Sequence, residues 1–404
     1  MKKQPLLLLI LISTGLIHQA VLKAQKNETV YSISRVSRFS QNIGIEPGKL
    51  SLAQTGKSSA QKPAKSMFGD NSLSITGQWF LSYQTGEESD EKYNNFNLKR
   101  GYINIKKSLS NRISGRITQD ISVDREGDGE GDIELRLKYC YLQYSLPALG
   151  FLAEPYVEFG LVHRPWIDFE EHINNYRVQG TMFLERNSIL NSADYGITFI
   201  SLLGGEMDDE YKSRVNESYP GKFGSLALGI YNGGGYHAIE KNRNKTLEGR
   251  LSLRPLPEIL PGLQFSYHGV YGKGNIAFEP DWNFNLGFLS WEHPYFVLTG
   301  MVYRGKGNFM GTALTVSDQP TLNEGYSLFG EWKIPDMKLS ILGRYDSFNP
   351  DVETEDWHSR RTIIGVAYHF IKGCKILVDY DSNDIHTPAE KNESFFEFAI
   401  EVHY

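Results

Sequence analysis

From residue 72 to the end of the chain, apolar and polar positions alternate with a period of two. Leu73, Ile75, Gly77, Trp79, Leu81 and Tyr83 alternate with Ser74, Thr76, Gln78 and Ser82. Successive side chains of a strand point to opposite faces, so this segment has one apolar face and one polar face. The pattern recurs at Ile133, Leu135, Leu137, Tyr139 and Tyr141 against Glu134, Arg136, Lys138 and Cys140. It recurs again at Leu247 to Arg254 and at Met337 to Tyr345. The last strand has Phe396, Phe398, Ile400, Val402 and Tyr404 against Glu397, Ala399, Glu401 and His403. Sixteen strands are predicted, near 72–84, 95–106, 112–123, 132–145, 154–162, 194–203, 223–231, 245–254, 262–272, 281–291, 294–304, 322–333, 337–346, 361–370, 373–381 and 394–404. The phase of 95–106 and 294–304 is ambiguous, because both faces carry apolar residues.

The connectors alternate in length. Trp291–Pro294, Ile334–Met337 and Ile371–Gly373 read as tight turns, separated by long polar loops at 305–321, 347–360 and 382–393. Short turns at one end, long loops at the other and strands of ~10 residues are the pattern of a transmembrane antiparallel up-and-down β-barrel. Only a closed barrel lets strands cross lipid, because every backbone polar group must be paired internally. A β-sandwich also alternates, but its strands are shorter. The fold class is therefore all-β, a barrel of about 16 strands. The connector 204–222 breaks the rule, since a short turn is expected where nineteen residues stand. Trp79, Trp166, Tyr231, Tyr271, Trp282, Trp291, Tyr295, Trp332, Tyr345 and Tyr380 fall at strand ends and read as interfacial girdles.

Composition agrees. Aromatics make up 13% of the chain, which argues against disorder, and the two cysteines exclude a disulfide scaffold or Cys-rich zinc site. A net charge of −6 gives no basic field for nucleic acid. At the N-terminus, Lys2 and Lys3 precede an apolar run from Leu6 to Leu16. Residues 1–24 read as a secretory signal peptide, cut near Ala24. Cleavage removes three lysines and no acid, taking the charge from −6 to −9. Residues 25–70 read as a flexible periplasmic extension, with a short helix conceivable within 28–42, and 71–404 as the barrel.

Several segments resemble a known family. The stretch from Phe96 through Arg100, Lys106 and Arg112 to Arg116 is similar to the early strand pair of phosphate-selective porins O and P, particularly their Bacteroidetes-type relatives. Leu135 to Leu142, Trp166 to Glu171, Tyr176-Arg177, Ala193 to Gly196 and Tyr231 to Gly235 resemble further parts of that family. The resemblance implies a sixteen-stranded, homotrimeric diffusion channel with an inward-folded third loop. It does not by itself imply phosphate selectivity. It also implies outer-membrane lipid and lipopolysaccharide as surroundings. The alternating C-terminal strand Phe396, Phe398, Ile400, Val402 and Tyr404 would be the signal for barrel-insertion machinery.

The polar faces supply eight basic residues (Arg116, Arg136, Lys138, Arg250, Arg254, Lys338, Arg344, Lys375) and eight acidic ones (Asp120, Glu134, Glu248, Glu331, Asp346, Asp379, Glu397, Glu401). Arg116, Arg136, Lys138, Arg250 and Arg344 are the pore-lining candidates. No excess of either sign stands out, and pairing across neighbouring strands is the favoured reading. The long segment 163–193 is the candidate constriction loop, carrying Arg164, Asp168, Glu170, Glu171, Arg177, Glu185 and Arg186. Folded inward, Asp168, Glu170 and Glu171 would face basic wall residues and set up a transverse field. The loop Asp124 to Asp132 has an acid at every second position, but its spacing is not that of an EF-hand, and it reads as a solvated acidic loop. His268 reads as a lumen residue, and Cys140 and Cys374 as unbonded strand residues.

No metalloprotease, nucleophile-elbow or P-loop motif is found, so no catalysis, metal or cofactor is expected. The expected function is passive diffusion of small hydrophilic solutes, including anions such as phosphate. The alternative is an adhesion or partner-binding anchor with a blocked lumen.

Overall fold

The computed structural model describes residues 72–125, 129–354, 357–386 and 392–404. The signal peptide and the extension lie outside the described residues, as does part of the acidic loop after Asp124. Sixteen strands among the described residues close into one antiparallel barrel, each pairing with its sequence neighbours and β1 with β16. They are β1 (Leu73–Glu88), β2 (Glu91–Ser108), β3 (Ile113–Val123), β4 (Ile133–Ser145), β5 (Leu152–His163), β6 (Ala193–Leu203), β7 (Gly224–Tyr231), β8 (Thr246–Leu253), β9 (Leu263–Lys273), β10 (Asp281–His293), β11 (Phe296–Lys306), β12 (Leu322–Ile334), β13 (Leu339–Asn349), β14 (His358–Ile371), β15 (Cys374–His386) and β16 (Glu393–His403). Tyr404 closes the seam, exchanging backbone hydrogen bonds of 2.9 and 3.1 Å with Gly77.

The outward face is apolar from strand to strand: Leu73, Ile75, Leu135, Leu247, Ile341, Ile364 and Phe396 are all exposed on the barrel surface. Inward positions hold the buried polar set, including Asp120, Glu248, Arg250, Asp346 and Glu397. This is the arrangement that lipid outside and water or packed loop inside demand. The β1–β2 connection is a two-residue turn in which Ser89 and Asp90 both have positive φ, 47° and 70°. That conformation matches the strand twist, so both strands run longer than their alternation suggests.

Two β-bulges correct the expected phase. Arg100 pairs with Phe80 and Leu98 with Leu81, leaving Lys99 as the extra residue of β2. Tyr139 pairs with Thr118 and Leu137 with Gln119, leaving Lys138 as the extra residue of β4. An extra residue reverses the inside–outside order beyond it. Tyr139 and Tyr141, expected on the apolar face, are therefore buried inside, while Cys140 is exposed on the lipid side. The first bulge accounts for the ambiguous phase of 95–106. In β11, by contrast, Val297, Met301 and Tyr303 face inward against buried apolar partners, which is why its two faces look alike.

Further corrections concern side-chain placement. Trp166, Tyr231 and Trp282, expected in the girdles, are fully buried inside, whereas Tyr271, Trp291, Tyr295, Trp332 and Tyr380 are exposed on the outer wall. Lys338 sits in the exposed turn between β12 and β13 rather than on the lumen wall. The long connector after β6 does not disturb the pairing: β6 and β7 are direct neighbours.

Candidate functional site

The loop between β5 and β6 folds inward. It contains two short helices, α1 (Ile167–Glu171) and α2 (Phe183–Arg186). Its apolar side chains have no place in water, and Trp166, Ile167, Phe169, Phe183 and Leu184 are buried to within 1%. They meet inward aromatics of the wall: Trp166 lies 5.2 Å from Phe288, Tyr176 6.0 Å from Phe329 and Phe183 6.0 Å from Phe348. Burying each such side chain contributes roughly 1.5–3 kcal/mol. The apolar inward faces of β10 and β11 exist to receive this loop.

Polar ties fix its position. Arg250 donates to the Pro165 carbonyl at 2.8 Å, Gln179 to Asp379 at 2.7 Å, and Arg186 to Asp346 at 2.7 Å. Tyr176 donates its hydroxyl hydrogen to Glu331 at 2.6 Å, and Lys99 reaches the Gln179 carbonyl at 3.1 Å while bonding Glu397 at 2.8 Å. Arg164, fully buried, forks onto Glu248 with an Nε contact of 2.7 Å. Glu170 accepts from the Trp166 indole at 2.8 Å, and burial pushes its carboxyl up to about 7.

A cavity of about 510 Å³ lies in the lumen between the loop and the β1–β4 and β14–β16 wall. On the wall stand Lys106, Arg116 and Lys138, with Tyr102 and Tyr139 between them. Lys106 and Arg116 are direct cross-strand partners. Arg116 donates to Thr118 at 2.9 Å, Asn104 at 2.9 Å and His163 at 3.0 Å, all uncharged acceptors when His163 is neutral. Lys138 lies 4.6 Å over the Tyr102 ring. Among the described residues no carboxylate lies within ion-pair distance of these three cations.

The loop side is different. Glu171 forms an ion pair with Arg177, 3.0 Å away, and Asp168 accepts the Tyr219 hydroxyl at 2.6 Å with His172 and His163 at 3.5 and 3.6 Å. Burial works against a charged His172, but Asp168 outweighs it and raises the imidazole pKa. Within ion-pair distance the loop's acids meet groups of the loop and its footing, while across the cavity Glu171 and Glu185 face Lys138, and Asp168 faces Arg116 and Lys106.

Of the sequence candidates, Arg116, Lys138, Asp168, Glu171 and Arg177 line this cavity. Arg250 and Arg344 point inward but lie under the loop, Arg250 over the Phe169 ring at 4.0 Å and Arg344 against Asp346 at 3.0 Å. Arg164 and Glu170 are buried within the loop's footing. Arg136 pairs with Glu134. Arg186 borders a separate cavity of about 350 Å³ on the extracellular side, with Arg361. His268 faces inward beneath Trp166, 5.5 Å from its ring. The pairing expected for the lumen charges is present at Lys375–Glu401 (2.8 Å), Arg100–Asp120 (3.3 Å) and Lys99–Glu397 (2.8 Å). Lys99, Arg100, Lys106, Glu158 and His163 were missed; Arg100 and Lys106 alternate inward with Tyr102 and Asn104, and only Lys99 needs the bulge to be placed.

The second missed element is the connector after β6. It carries α3 (Asp209–Arg214) and rises into the barrel from the short-turn end. Asn216 donates to the His172 carbonyl at 2.9 Å and to Glu292 at 2.7 Å, and Tyr219 packs 5.3 Å from Phe169. Nineteen residues are needed because this connector props the loop from below.

No family model matches the chain, and no curated protein does. Solved structures do. The anion-selective porin from Comamonas acidovorans is 10% identical, with 83% of this chain and 100% of that one covered and a TM-score of 0.58. The outer membrane channel DcaP of Acinetobacter baumannii is 11% identical (84% and 100% covered, TM-score 0.55), and Salmonella typhi OmpF is 12% identical (83% and 98%, TM-score 0.55). Identities this low carry the fold alone. With the apolar outer wall and the closed sheet, they make this chain a sixteen-stranded β-barrel of the Gram-negative outer membrane with the porin fold.

Proposed function

We propose that the chain is a passive diffusion channel for small hydrophilic solutes that favours anions. The observation that carries this reading is the row Lys106, Arg116 and Lys138, three cations on one wall of the cavity with no carboxylate within ion-pair distance among the described residues. A narrow, partly desolvated passage with unpaired positive charge lowers the barrier for anions and raises it for cations. Guanidinium and ammonium donors suit phosphate as well as carboxylate and chloride. Phosphate is therefore a candidate solute, in keeping with the sequence resemblance. One structural neighbour is itself an anion-selective porin. Export through a signal peptide at 1–24, assembly as a homotrimer and insertion through the C-terminal strand complete the proposal.

The test is reconstitution in a planar bilayer across a KCl gradient. Stepwise conductance with a reversal potential of anionic sign, reduced by added phosphate, is expected. A cation-selective current would overturn the anion preference. No conductance from a barrel folded by heat-modifiable gel migration would overturn the channel reading and favour an anchoring barrel with a blocked lumen.

A further inference from the structure

The docked loop also closes a second cavity, apart from the one bordered by the cation row. It holds about 350 Å³ on the extracellular side, between the loop residues from Arg186 to Ile189, the β11–β12 connection and the inward face of β13–β15. Small-molecule sites span ~300–1,000 Å³, so it is large enough for one small solute. Its charges answer one another. Arg361 donates from Nε to Asp381 at 2.8 Å, and Arg186 donates to Asp346 at 2.7 Å. Asp346 also accepts from Arg344 at 3.0 Å and from Ser327 at 2.6 Å. Glu393, the cross-strand partner of Asn383, acts on Arg361 as well and accepts from Tyr93 at 2.8 Å. Arg186, Arg344 and Arg361 thus stand among three carboxylates, Asp346, Asp381 and Glu393.

What these pairs leave over is a set of single donors and acceptors. Arg361 and Asn383 are cross-strand partners, and Asn383 spends its side-chain oxygen on the Ser359 hydroxyl at 3.0 Å. Arg361 Nη1, Asn383 Nδ2 and Trp357 Nε1 border the cavity with no hydrogen-bond partner among the described residues. The loop adds the Ser188 hydroxyl and the side-chain oxygen of Asn187, whose amide nitrogen is taken by the Phe183 carbonyl at 2.9 Å. Asn308 and Asn323 shape the floor without offering a donor, because their amide nitrogens are committed to Thr312 and the Gly307 carbonyl. Trp357 and Phe348 supply aromatic surface beside these polar groups.

We infer that this cavity binds an uncharged pyranose sugar on the extracellular side of the constriction loop. The ring lies against Trp357, and its hydroxyls meet Arg361, Asn383 and Ser188. A sugar hydroxyl donates and accepts at once, so it matches separate donors and acceptors better than a cluster of one kind. The C–H face of the ring is apolar and suits an aromatic side chain. A small anion would meet three carboxylates here, whereas a neutral solute is not repelled. The site goes beyond the anion preference proposed above and does not depend on it: balanced, paired charges border this cavity, and the cation row borders the other.

The test is saturation-transfer NMR of the full protein in detergent micelles, titrated with glucose, galactose, mannose and xylose. Saturable binding of at least one of the four is expected. Open-chain mannitol, which has hydroxyls but no ring face, should bind at least about fivefold more weakly. Raising the salt from about 0.1 to 1 M should leave the sugar affinity unchanged, since no net charge is involved. Trp357→Ala, in the connection before β14, weakens the sugar at least about fivefold. Arg361→Lys, which keeps a cation on Asp381 but has no second arm, weakens it as well. Both variants keep heat-modifiable migration. Lys138→Gln with Arg116→Gln, on the other cavity, leaves sugar binding as it was. Binding of none of the four sugars by the folded protein overturns the inference. So does displacement of the sugar by inorganic phosphate, or binding unchanged in Trp357→Ala. Equilibrium binding needs no current, so a barrel that conducts anions and holds no sugar fails this inference alone, and one that holds sugar without conducting fails the channel reading alone.

Discussion

Lys138 is the residue on which most of the passage turns. As the extra residue of a bulge it points inward beside Tyr139, also inward, and both rings flanking it are tyrosines rather than acids. Replacing Lys138 and Arg116 together by Gln should shift the reversal potential toward cations, with the anion-to-cation permeability ratio falling roughly five- to tenfold. An unchanged ratio would assign selectivity elsewhere. The same bulge makes a prediction about Cys140, the free thiol it turns toward lipid. A charged, water-soluble thiol reagent should leave Cys140 unmodified in the native barrel, whereas a lipophilic maleimide labels it. Rapid labelling by the charged reagent would mean that β4 keeps simple alternation.

At the scale of the element, the inward loop is held by a buried charge pair as much as by its apolar face. Glu248→Gln leaves the buried Arg164 guanidinium with only the Asp194 carboxylate, 3.9 Å away, as counter-charge, and breaking a buried pair from one side costs up to ~3–5 kcal/mol. The expected outcome is a noisier, larger conductance and proteolysis within the loop, while the barrel keeps its migration. The triple change Arg164→Met, Asp194→Asn and Glu248→Leu, which removes all three buried charges, should restore quiet channels. The loop also responds to pH. Burial raises the Glu170 carboxyl to about 7, above its unfolded value, and Asp168 raises His172. A raised group stabilises the docked loop below its unfolded pKa, and that contribution is lost as pH rises through the folded one. Both groups act in the same direction. Between pH 5 and pH 8 channel flicker should increase and anion preference fall, and Glu170→Gln should flatten the flicker response; flicker that rises toward acid would contradict this account.

For the whole molecule, closure depends on the seam. Tyr404 pairs with Gly77, and Val402, Ile400 and Phe398 pair with Trp79, Leu81 and Tyr83. A barrel without its last strand has two open edges in lipid, which hydrocarbon does not tolerate. Truncation before Phe396 should therefore abolish the folded, heat-modifiable form and not merely reduce conductance. Recovery of a folded band from the truncated chain would show that the barrel closes another way. The lumen is shared between two inserts from opposite ends, the loop after β5 and the connector after β6, joined at Tyr219–Asp168. Tyr219→Phe breaks that hydrogen bond while keeping the ring on Phe169 and Arg250. It tests whether the connector steadies the loop: flicker should increase with little change in mean conductance.

Alternation alone determined the number of strands, their order, the closed antiparallel sheet and which end carries the long loops. Each of these follows from a period of two repeated over sixteen segments and from the rule that lipid accepts no unpaired backbone. The long charged segment at 163–193 was legible as a loop for the same reason, because it interrupts that period. Tertiary structure alone decided which inward residues border the open part of the lumen. Lys99, Tyr139 and Tyr141 turn inward through bulges, and one extra residue is invisible to a periodicity that tolerates small errors. Arg250 and Arg344 lie on the predicted face yet are covered, because the loop that covers them is held by contacts with seven or more strands far away in sequence. The row of wall cations stands out only once cross-strand register and the loop's ion pairs are known, and sequence order contains neither.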